Sequence, residues 1–193
     1  IMTALLTIEN LPDLNETITV PEDIFEELTA QDASVAGFNP YEQPTVRDLL
    51  YGVLLPSGAD ACETLARAVG GSEEGFVAMM NQKAEELGLT NTHFENCTGL
   101  HNDNHYSTCR DIAVLMSECL KSDTFREIVT REVYTTEATA SHPEGITLYD
   151  TMLHRFTSYE MSTTLENGAV IEGGKTGFTD EAGQCLVSFA EYG

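Results

Sequence analysis

The sequence predicts an α+β fold, and two observations along the chain carry that prediction. Helical periodicity behind a polar N-terminal cap recurs between residues 45 and 130. Beyond residue 130 the apolar runs become short and β-rich, and the last two are joined by a turn. Helices therefore fill the middle of the chain, and strands lie toward its C-terminal end.

Composition bounds the class of protein. The chain has 193 residues, 41% of them hydrophobic, which is enough for the core of one domain. The 32 acidic against 9 basic residues give a net charge of −23, which argues against nucleic acid or an anionic membrane surface as a partner. No apolar run is long enough to span a bilayer. We expect both ends to be cut, because Ile1 opens inside an uncapped apolar helix and Gly193 directly follows a strand.

The N-terminal part begins with a buried helix. Residues 1–8 are apolar on all sides, which is typical of a helix inside a core. A short β-like piece follows at residues 17–20, and residues 21–28 predict one or two helical turns that begin at Pro21. Residues 29–44 mix small and polar side chains with Pro and Gly, which favours short strands and loops.

Five capped helices are predicted in the middle of the chain. The clearest cap is Thr45 with Asp48, a capping box in which Asp takes the usual place of Glu or Gln. Glycines after the second and third helices are typical terminators. The predicted helices end near residue 54, run over 61–69, end near 87, end near 119 and end near 130, with Ser57, Ser72, Thr108 and Ser122 or Asp123 as the other caps.

The C-terminal third predicts strands. Residues 133–136 have strand character, whereas residues 138–168 are polar and weakly patterned, so no element is assigned there. A strand that begins at Lys175, a turn at 180–183 and a second strand at 185–189 predict an antiparallel hairpin.

The stretch 173–179 reads Gly-Gly-Lys-Thr-Gly-Phe-Thr and contains one of only three lysines in the chain. Gly177 has no side chain, so a ligand can lie against the backbone there. Lys175 offers a positive charge, and Thr176 and Thr179 offer hydroxyls, a set suited to a carboxylate. A plain hairpin with one solvated lysine would carry the same short motif, so support is needed from elsewhere in the chain.

That support comes from Ser57, which taken alone is explained as a helix cap. The penicilloyl-serine enzymes carry Ser-x-x-Lys, Ser-x-Asn and Lys-Thr-Gly in that order. Here Ser57-Gly58-Ala59 stands in the second place and Lys175-Thr176-Gly177 in the third.

The residues around both motifs resemble one branch, the serine D-alanyl-D-alanine carboxypeptidases or low-molecular-mass penicillin-binding proteins. The matching stretches are 55–58, 99–101, 105–111, 174–179 and 181–186. The resemblance implies an antiparallel sheet flanked by helices plus an all-helical lobe, truncated at both ends. It implies one incomplete transpeptidase-like domain over 1–193, with the helical lobe at about 20–130 and the sheet portion at about 131–193 together with the N-terminal helix.

The resemblance also implies a mechanism. In the family the Ser-x-x-Lys motif directly precedes a sequence like residues 1–5, so the nucleophilic serine and its basic lysine would lie before Ile1, and this chain as given would be inactive. The serine would attack the penultimate D-alanine of a peptidoglycan stem peptide, and water would hydrolyse the acyl-enzyme. Ser57 would relay a proton to the leaving amine. Lys175 would supply positive potential and help keep the basic lysine neutral.

The remaining site residues implied by the resemblance bind substrate. Thr176 and Thr179 would face the terminal carboxylate, and the backbone near Phe178 would line the groove and help form the oxyanion hole. Gly177 and Ala59 complete the set. β-Lactams would acylate the same serine, no cofactor is implied, and the setting would be extracytoplasmic, with a membrane anchor possible outside this segment.

One departure leaves alternatives open. Ala59 stands where the family usually has asparagine, and a methyl group cannot make the hydrogen bonds of an amide. A non-catalytic member of the same fold that binds muropeptides or a partner protein is therefore a second hypothesis. A serine β-lactamase is a third, against which the flanks of His105 and Lys175 argue.

The polar loop 89–106 contains residues that suggest a metal site. His101, Asp103, His105 and Cys97 offer ligands, but the loop is rich in turn formers, which favours an Asx-type loop, and we expect no metal. The chain has five cysteines. Cys97 and Cys109 flank this loop, and we predict that they lie close enough to form a disulfide in the oxidising compartment that the resemblance implies.

Overall fold

Eight helices and four strands make up the part of the chain that the computed structural model describes, residues 1–192. Seven of the eight helices precede residue 130 and all four strands follow that residue, as the α+β prediction requires. The helices are α1 (Met2–Asn10), α2 (Ile24–Ala30), α3 (Val46–Leu54), α4 (Ala59–Gly70), α5 (Glu73–Glu86), α6 (Cys109–Cys119), α7 (Asp123–Val129) and α8 (Leu153–Ser158). The strands are β1 (Val133–Thr135), β2 (Thr147–Tyr149), β3 (Val170–Thr179) and β4 (Gly183–Glu191).

Helix α1 lies at the centre of the molecule, packed against α3, α4, α5 and α7. Its residues from Met2 to Thr7 are buried, as the all-apolar sequence predicted. Two threonines in this core have hydrogen-bond partners: Thr3 Oγ1 donates to the carbonyl of Cys97 at 2.6 Å, and Thr7 Oγ1 donates to that of Thr3 at 2.8 Å. The helix is thus fixed in the core close to where the chain begins.

The capping box at the start of α3 is confirmed. Thr45 accepts from the Asp48 amide, and the buried Asp48 side chain accepts from the Thr45 amide in return. Asp48 also accepts from the Tyr134 hydroxyl at 2.9 Å, which ties α3 to β1. Ser72, Thr108 and Ser122 cap α5, α6 and α7 as predicted.

The predicted cap at Ser57 is wrong. Helix α4 begins at Ala59, two residues earlier than expected, and its N-cap is Gly58 without a side-chain hydrogen bond. The Asp60 carboxylate, which the cap pattern assigned to the helix start, instead accepts from the backbone amides of residues 36–38 at 2.7–3.0 Å. These bonds hold that segment as a loop, so the strands expected in residues 29–44 do not form.

Two antiparallel pairs make up the β-structure of residues 1–192. β1 pairs with β2, which lies in the stretch that the sequence left unassigned, and β3 pairs with β4 as the predicted hairpin. β3 begins five residues before Lys175 and contains an irregularity in register between Ile171 and Gly173. The β-like piece at residues 17–20 reduces to one bridge between Thr17 and Thr45.

The two glycines before Lys175 let β3 pack closely on its neighbours. A Cβ at Gly173 would lie 2.4 Å from the carbonyl oxygen of Val129, at the end of α7. A Cβ at Gly174 would lie 2.5 Å from the carbonyl oxygen of Val187 and 3.0 Å from Met152 Sδ. These close contacts fix the position of the strand backbone directly before Lys175. None of the helices in residues 1–192 is long and apolar enough to cross a membrane.

Candidate active site

Ser57 and Lys175 meet in the structure. The Lys175 Nζ donates to Ser57 Oγ at 2.8 Å and to the backbone carbonyl of Thr176 at the same distance, although Ser57 and Lys175 are 118 positions apart. Both side chains are half-buried. The two motifs that the sequence placed in order are therefore brought to one place.

The turn between α3 and α4 directs Ser57 toward β3. Ser57 has a φ of 64°, a left-handed conformation that costs a residue with a Cβ about 1–2 kcal/mol. The next residue is held tightly, because Gly58 N donates to the Gly52 carbonyl at 2.8 Å and a Cβ at Gly58 would lie 2.7 Å from Ala36. The packed turn thus keeps Ser57 in a conformation that a free chain would avoid.

Burial and neighbouring charges act on Lys175 in opposite directions. Burial lowers its pKa, and the groups that oppose this effect are Cys62 and Asp150. Burial raises the pKa of the Cys62 thiol to about 12, so Cys62 is neutral near neutral pH. The charge of Asp150 also acts to raise the Lys175 pKa, but burial is the larger effect and the pKa is lowered.

The N-terminal end of α1 lies at the same place. The Ile1 amino group is buried, and burial is the largest cause of its lowered pKa, with the Lys175 charge acting in the same direction. The start of α1 therefore lies near Lys175.

A segment that the sequence left unassigned completes the surroundings. Thr151 N donates to the carbonyl of Leu55 at 3.2 Å, and its hydroxyl is hydrogen-bonded to the Thr176 hydroxyl. Asp150 Oδ1 accepts from the amides of Met152 and Leu153 at 2.8 and 2.6 Å. No local signal marked this segment, because its partners are distant in sequence.

The other predicted substrate-binding residues differ from one another in solvent exposure and in their hydrogen bonds. Gly177 and Phe178 are exposed on β3, and Phe178 shows 66% of its surface. The hydroxyl of Thr179 accepts from the Ala182 amide at 3.0 Å, within the β3–β4 turn. Ala59 is 4% exposed and its amide donates to the Ser34 carbonyl at 2.7 Å, so its methyl group is enclosed.

The four residues of the metal hypothesis do not gather around one point. His101 contacts Asp103 at 3.3 Å and Glu181 at 3.7 Å, whereas His105 accepts from the Glu95 amide at 3.3 Å. Within residues 1–192, the group that does bring three ligand atoms within 4.8 Å of one another consists of Glu63, Glu73 and Cys97.

Two members of that group, Glu63 and Cys97, have raised pKa values because they are buried. Burial, followed by the Glu73 charge, raises the pKa of Glu63 to about 7, and Cys97 Sγ donates to Glu63 Oε1 at 3.3 Å. The predicted bridge between Cys97 and Cys109 does not form. Cys97 points into the core toward Glu63, whereas Cys109 is exposed at the start of α6, and all five cysteines are free thiols.

Comparisons with known proteins agree along the whole chain. A family model described as D-alanyl-D-alanine carboxypeptidase matches residues 1–193. The D-alanyl-D-alanine carboxypeptidase DacF of Bacillus subtilis is 34% identical over 194 residues, which cover 100% of this chain and 46% of that protein. A D-alanyl-D-alanine carboxypeptidase of a Streptomyces species is 36% identical over 201 residues, 100% of this chain and 66% of the relative.

Solved structures give the same result for the fold. The crystal structure of a Streptomyces DD-transpeptidase matches with a TM-score of 0.84 and 34% identity, covering 100% of this chain and 73% of that one. A putative penicillin-binding protein homologue from Mycobacterium tuberculosis matches with a TM-score of 0.77 and 30% identity, covering 100% and 66%. The chain thus spans about half to two-thirds of the length of the first curated relatives that it matches.

Proposed function

The chain belongs to the D-alanyl-D-alanine carboxypeptidase family, and we propose that the full-length protein is a serine carboxypeptidase acting on peptidoglycan stem peptides. Its substrate would end in D-Ala-D-Ala, and penicillins would acylate the same serine. The observation that carries the proposal is the 2.8 Å hydrogen bond from Lys175 Nζ to Ser57 Oγ. The penicillin-binding protein fold, confirmed by the structural matches, gives this pair its context.

The direction of that hydrogen bond gives Ser57 a chemical role. Because Lys175 donates to Ser57 Oγ, the hydroxyl proton of Ser57 is free to point to a third group. In the proposed reaction that group is the leaving amine, to which Ser57 passes a proton as the peptide bond breaks. Lys175 stabilises negative charge that develops around the relay.

The nucleophile and its base are assigned to the residues that precede Ile1 in the full-length protein. The support is the position of α1, whose first residue lies within reach of the Lys175 charge. A serine needs an adjacent base to attack a carbonyl, and a neutral lysine can supply it. The positive charge of Lys175 would help to keep that second lysine neutral.

Strand β3 is proposed to bind the peptide. Gly177 leaves the backbone open to solvent, because a Cβ there would meet only Cys185 Cβ at 3.8 Å. The Thr176 hydroxyl is hydrogen-bonded to the Thr151 hydroxyl, and we assign this fixed hydroxyl to the terminal carboxylate. The Phe178 amide would serve the oxyanion hole. Thr179 is engaged in the turn, so we assign it a supporting role near the end of the strand.

A second function is favoured by Ala59. Since its methyl group is enclosed and supplies no hydrogen bond, the protein would bind muropeptides without turning them over at the rate of a carboxypeptidase. Both functions place the protein outside the cytoplasm, where peptidoglycan is. Release of D-alanine from a D-Ala-D-Ala peptide separates them.

The test is acylation of the full-length protein by a fluorescent penicillin, together with D-alanine release from a D-Ala-D-Ala peptide. Lys175→Ala should lower the acylation rate by roughly 10²-fold or more, the scale of losing a charged contact to the transition state. Lys175→Arg should restore only part of the rate, since a planar guanidinium does not fit the place of a compact ammonium.

Lys121→Ala is the matched control, because Lys121 pairs with Glu118 on the surface and lies outside the site. It should acylate at the wild-type rate. Acylation of Lys175→Ala at the wild-type rate would show that β3 is not the substrate-binding strand. Penicillin labelling without D-alanine release would favour the binding function over the carboxypeptidase.

A further inference from the structure

Thr151 is hydrogen-bonded to both halves of the proposed site. Its amide donates to the carbonyl of Leu55, two residues before Ser57, at 3.2 Å. Its hydroxyl is hydrogen-bonded to the hydroxyl of Thr176, the residue after Lys175. Two direct bonds from one residue therefore join the turn that carries Ser57 to the strand that carries Lys175.

The residues on either side of Thr151 hold its backbone in place. The Asp150 amide donates to the Glu132 carbonyl at 2.8 Å, and Asp150 Oδ1 accepts from the Met152 amide at 2.8 Å. Met152 is 5% exposed, and its Sδ would lie 3.0 Å from a Cβ at Gly174 in β3. The chain is thus anchored directly before and directly after Thr151, so the fold sets the place of its hydroxyl.

Thr176 uses its carbonyl and its hydroxyl for different partners. The carbonyl accepts from Lys175 Nζ at 2.8 Å, whereas the hydroxyl has Thr151 as its partner within residues 1–192. A hydroxyl group has one proton and two lone pairs, so a pair of hydroxyls uses one proton between them and leaves the other free. When Thr151 donates to Thr176, the proton of Thr176 is available to a third group.

A bound carboxylate selects that direction. Because a carboxylate only accepts hydrogen bonds, Thr176 has to donate to it and can then only accept from Thr151. The two hydroxyls form a chain that ends on the negative charge, and in such a chain each hydrogen bond strengthens the next. A neutral amide in the same place would accept a weaker bond, because the strong bonds are those to charged groups.

From these contacts we propose that Thr151 is a positioning residue that directs the Thr176 hydroxyl proton to the terminal carboxylate of the substrate. It thereby favours peptides with a free carboxylate over peptides with a neutral end. The inference rests on the proposed function, in which Thr176 binds that carboxylate. The carboxylate keeps its charge while the peptide bond breaks, so the contribution of Thr151 belongs to binding more than to the chemical step.

Thr151→Val in the full-length protein tests the proposal with two peptides, one ending in D-Ala-D-Ala and the same peptide ending in D-alaninamide. Valine keeps the backbone amide that donates to Leu55 but has no hydroxyl. For the carboxylate peptide KM should rise about ten-fold with little change in kcat, the pattern of a contact made equally in the ground state and the transition state. For the amide peptide KM should change by less than about two-fold, since no charge is bound. Thr151→Ser restores the hydroxyl and should return most of the lost affinity.

A double-mutant cycle separates this role from general support of the fold. Because Thr151 is proposed to act through Thr176, adding Thr151→Val to Thr176→Val should raise KM no further. The matched control is a second pair of threonine hydroxyls, Thr135 and Thr147, which lie 3.3 Å apart between β1 and β2. Thr147→Val removes an equivalent bond from strands that carry none of the proposed site residues, and it should leave KM unchanged for both peptides.

The outcomes separate the inference from the proposed function. If the wild-type protein releases D-alanine and Thr151→Val leaves KM unchanged, or raises it equally for both peptides, the role of Thr151 is wrong and the function stands. If the wild-type protein binds the carboxylate peptide without cleaving it, Kd from calorimetry takes the place of KM and the same comparison decides the role of Thr151. A wild-type protein that neither binds nor cleaves the peptide would overturn both. Thr151→Ala, which also lacks the hydroxyl, gives the same comparison if valine impairs folding.

Discussion

The carboxyl group of Glu63 lies in surroundings that disfavour its charged form. Burial is the main cause of its raised pKa of about 7, followed by the charge of Glu73. The folded protein therefore keeps a proton on Glu63 between about pH 4.5 and 7, where the unfolded chain has released it. The contribution of Glu63 to the free energy of unfolding is fully present below about pH 4.5, and it is lost as the pH rises through about 7.

Glu63→Gln should consequently stabilise the protein at pH 8 by about 1–3 kcal/mol and have little effect near pH 4.5. Glutamine keeps an oxygen that can accept from Cys97. Urea unfolding at the two pH values measures the difference. Glu26→Gln, at an exposed position on α2, should change stability by less than about 0.5 kcal/mol at either pH. A Glu63→Gln variant that is less stable than wild type at pH 8 would contradict the expectation.

Ser57 shows how a single residue can be misread from its neighbours. The pattern Ser-Gly-Ala-Asp has the form of a helix cap, and local propensity supports that interpretation. The hydroxyl is instead directed by a left-handed backbone and by Lys175, a partner 118 positions away. Only the order of the two motifs pointed to the pair, because hydrogen bonds over that distance leave no local pattern.

Strand β3 depends on glycines that serve two different purposes. At Gly173 an added Cβ would lie 2.4 Å from the Val129 carbonyl oxygen, whereas at Gly177 it would make an ordinary contact at 3.8 Å. The first glycine is required by packing against α7. The second leaves the strand backbone open on the side where we propose that substrate binds.

Gly173→Ala should therefore destabilise the protein by about 1–3 kcal/mol, because backbone atoms must move to relieve the overlap. In a chain of this size each kcal/mol corresponds to about 2–4 °C in the melting temperature. Gly177→Ala is the matched variant and should melt like wild type, while lowering penicillin acylation through the side chain that it adds. Equal melting temperatures for the two variants would show that the contact with α7 does not constrain β3.

The elements that the sequence predicted well have local determinants. The caps of α3, α5, α6 and α7 are formed by side chains within three residues of the amides that they bind. The β3–β4 hairpin follows from two β-rich runs and their turn. Residues 150–153 could not be predicted, because Thr151 is ordered by contacts with Leu55 and Thr176 and the Asp150 amide by the Glu132 carbonyl, all distant in sequence.

At the scale of the whole molecule, charge and exposed apolar surface act against each other. The net charge of −23 favours separate molecules at low salt. Phe178 and Leu186 lie on one face of the β3–β4 pair and are 66% and 59% exposed. In residues 1–192, β4 has no strand on its outer edge, so its unpaired backbone groups can pair with another chain.

We therefore expect residues 1–193 expressed alone to self-associate, and more strongly as salt is added. Salt shortens the range of repulsion to about 10 Å at 0.1 M and leaves apolar and edge-strand contacts in place. Light scattering and sedimentation at low and high salt measure the association. Leu186→Lys should reduce it, because a lysine on an edge strand opposes pairing. Val114→Lys is the control, since Val114 is 43% exposed on a helix, α6, and its replacement adds the same charge. A monomer with one cooperative melting transition at both salt concentrations would show that the outer edge of β4 needs no further strand.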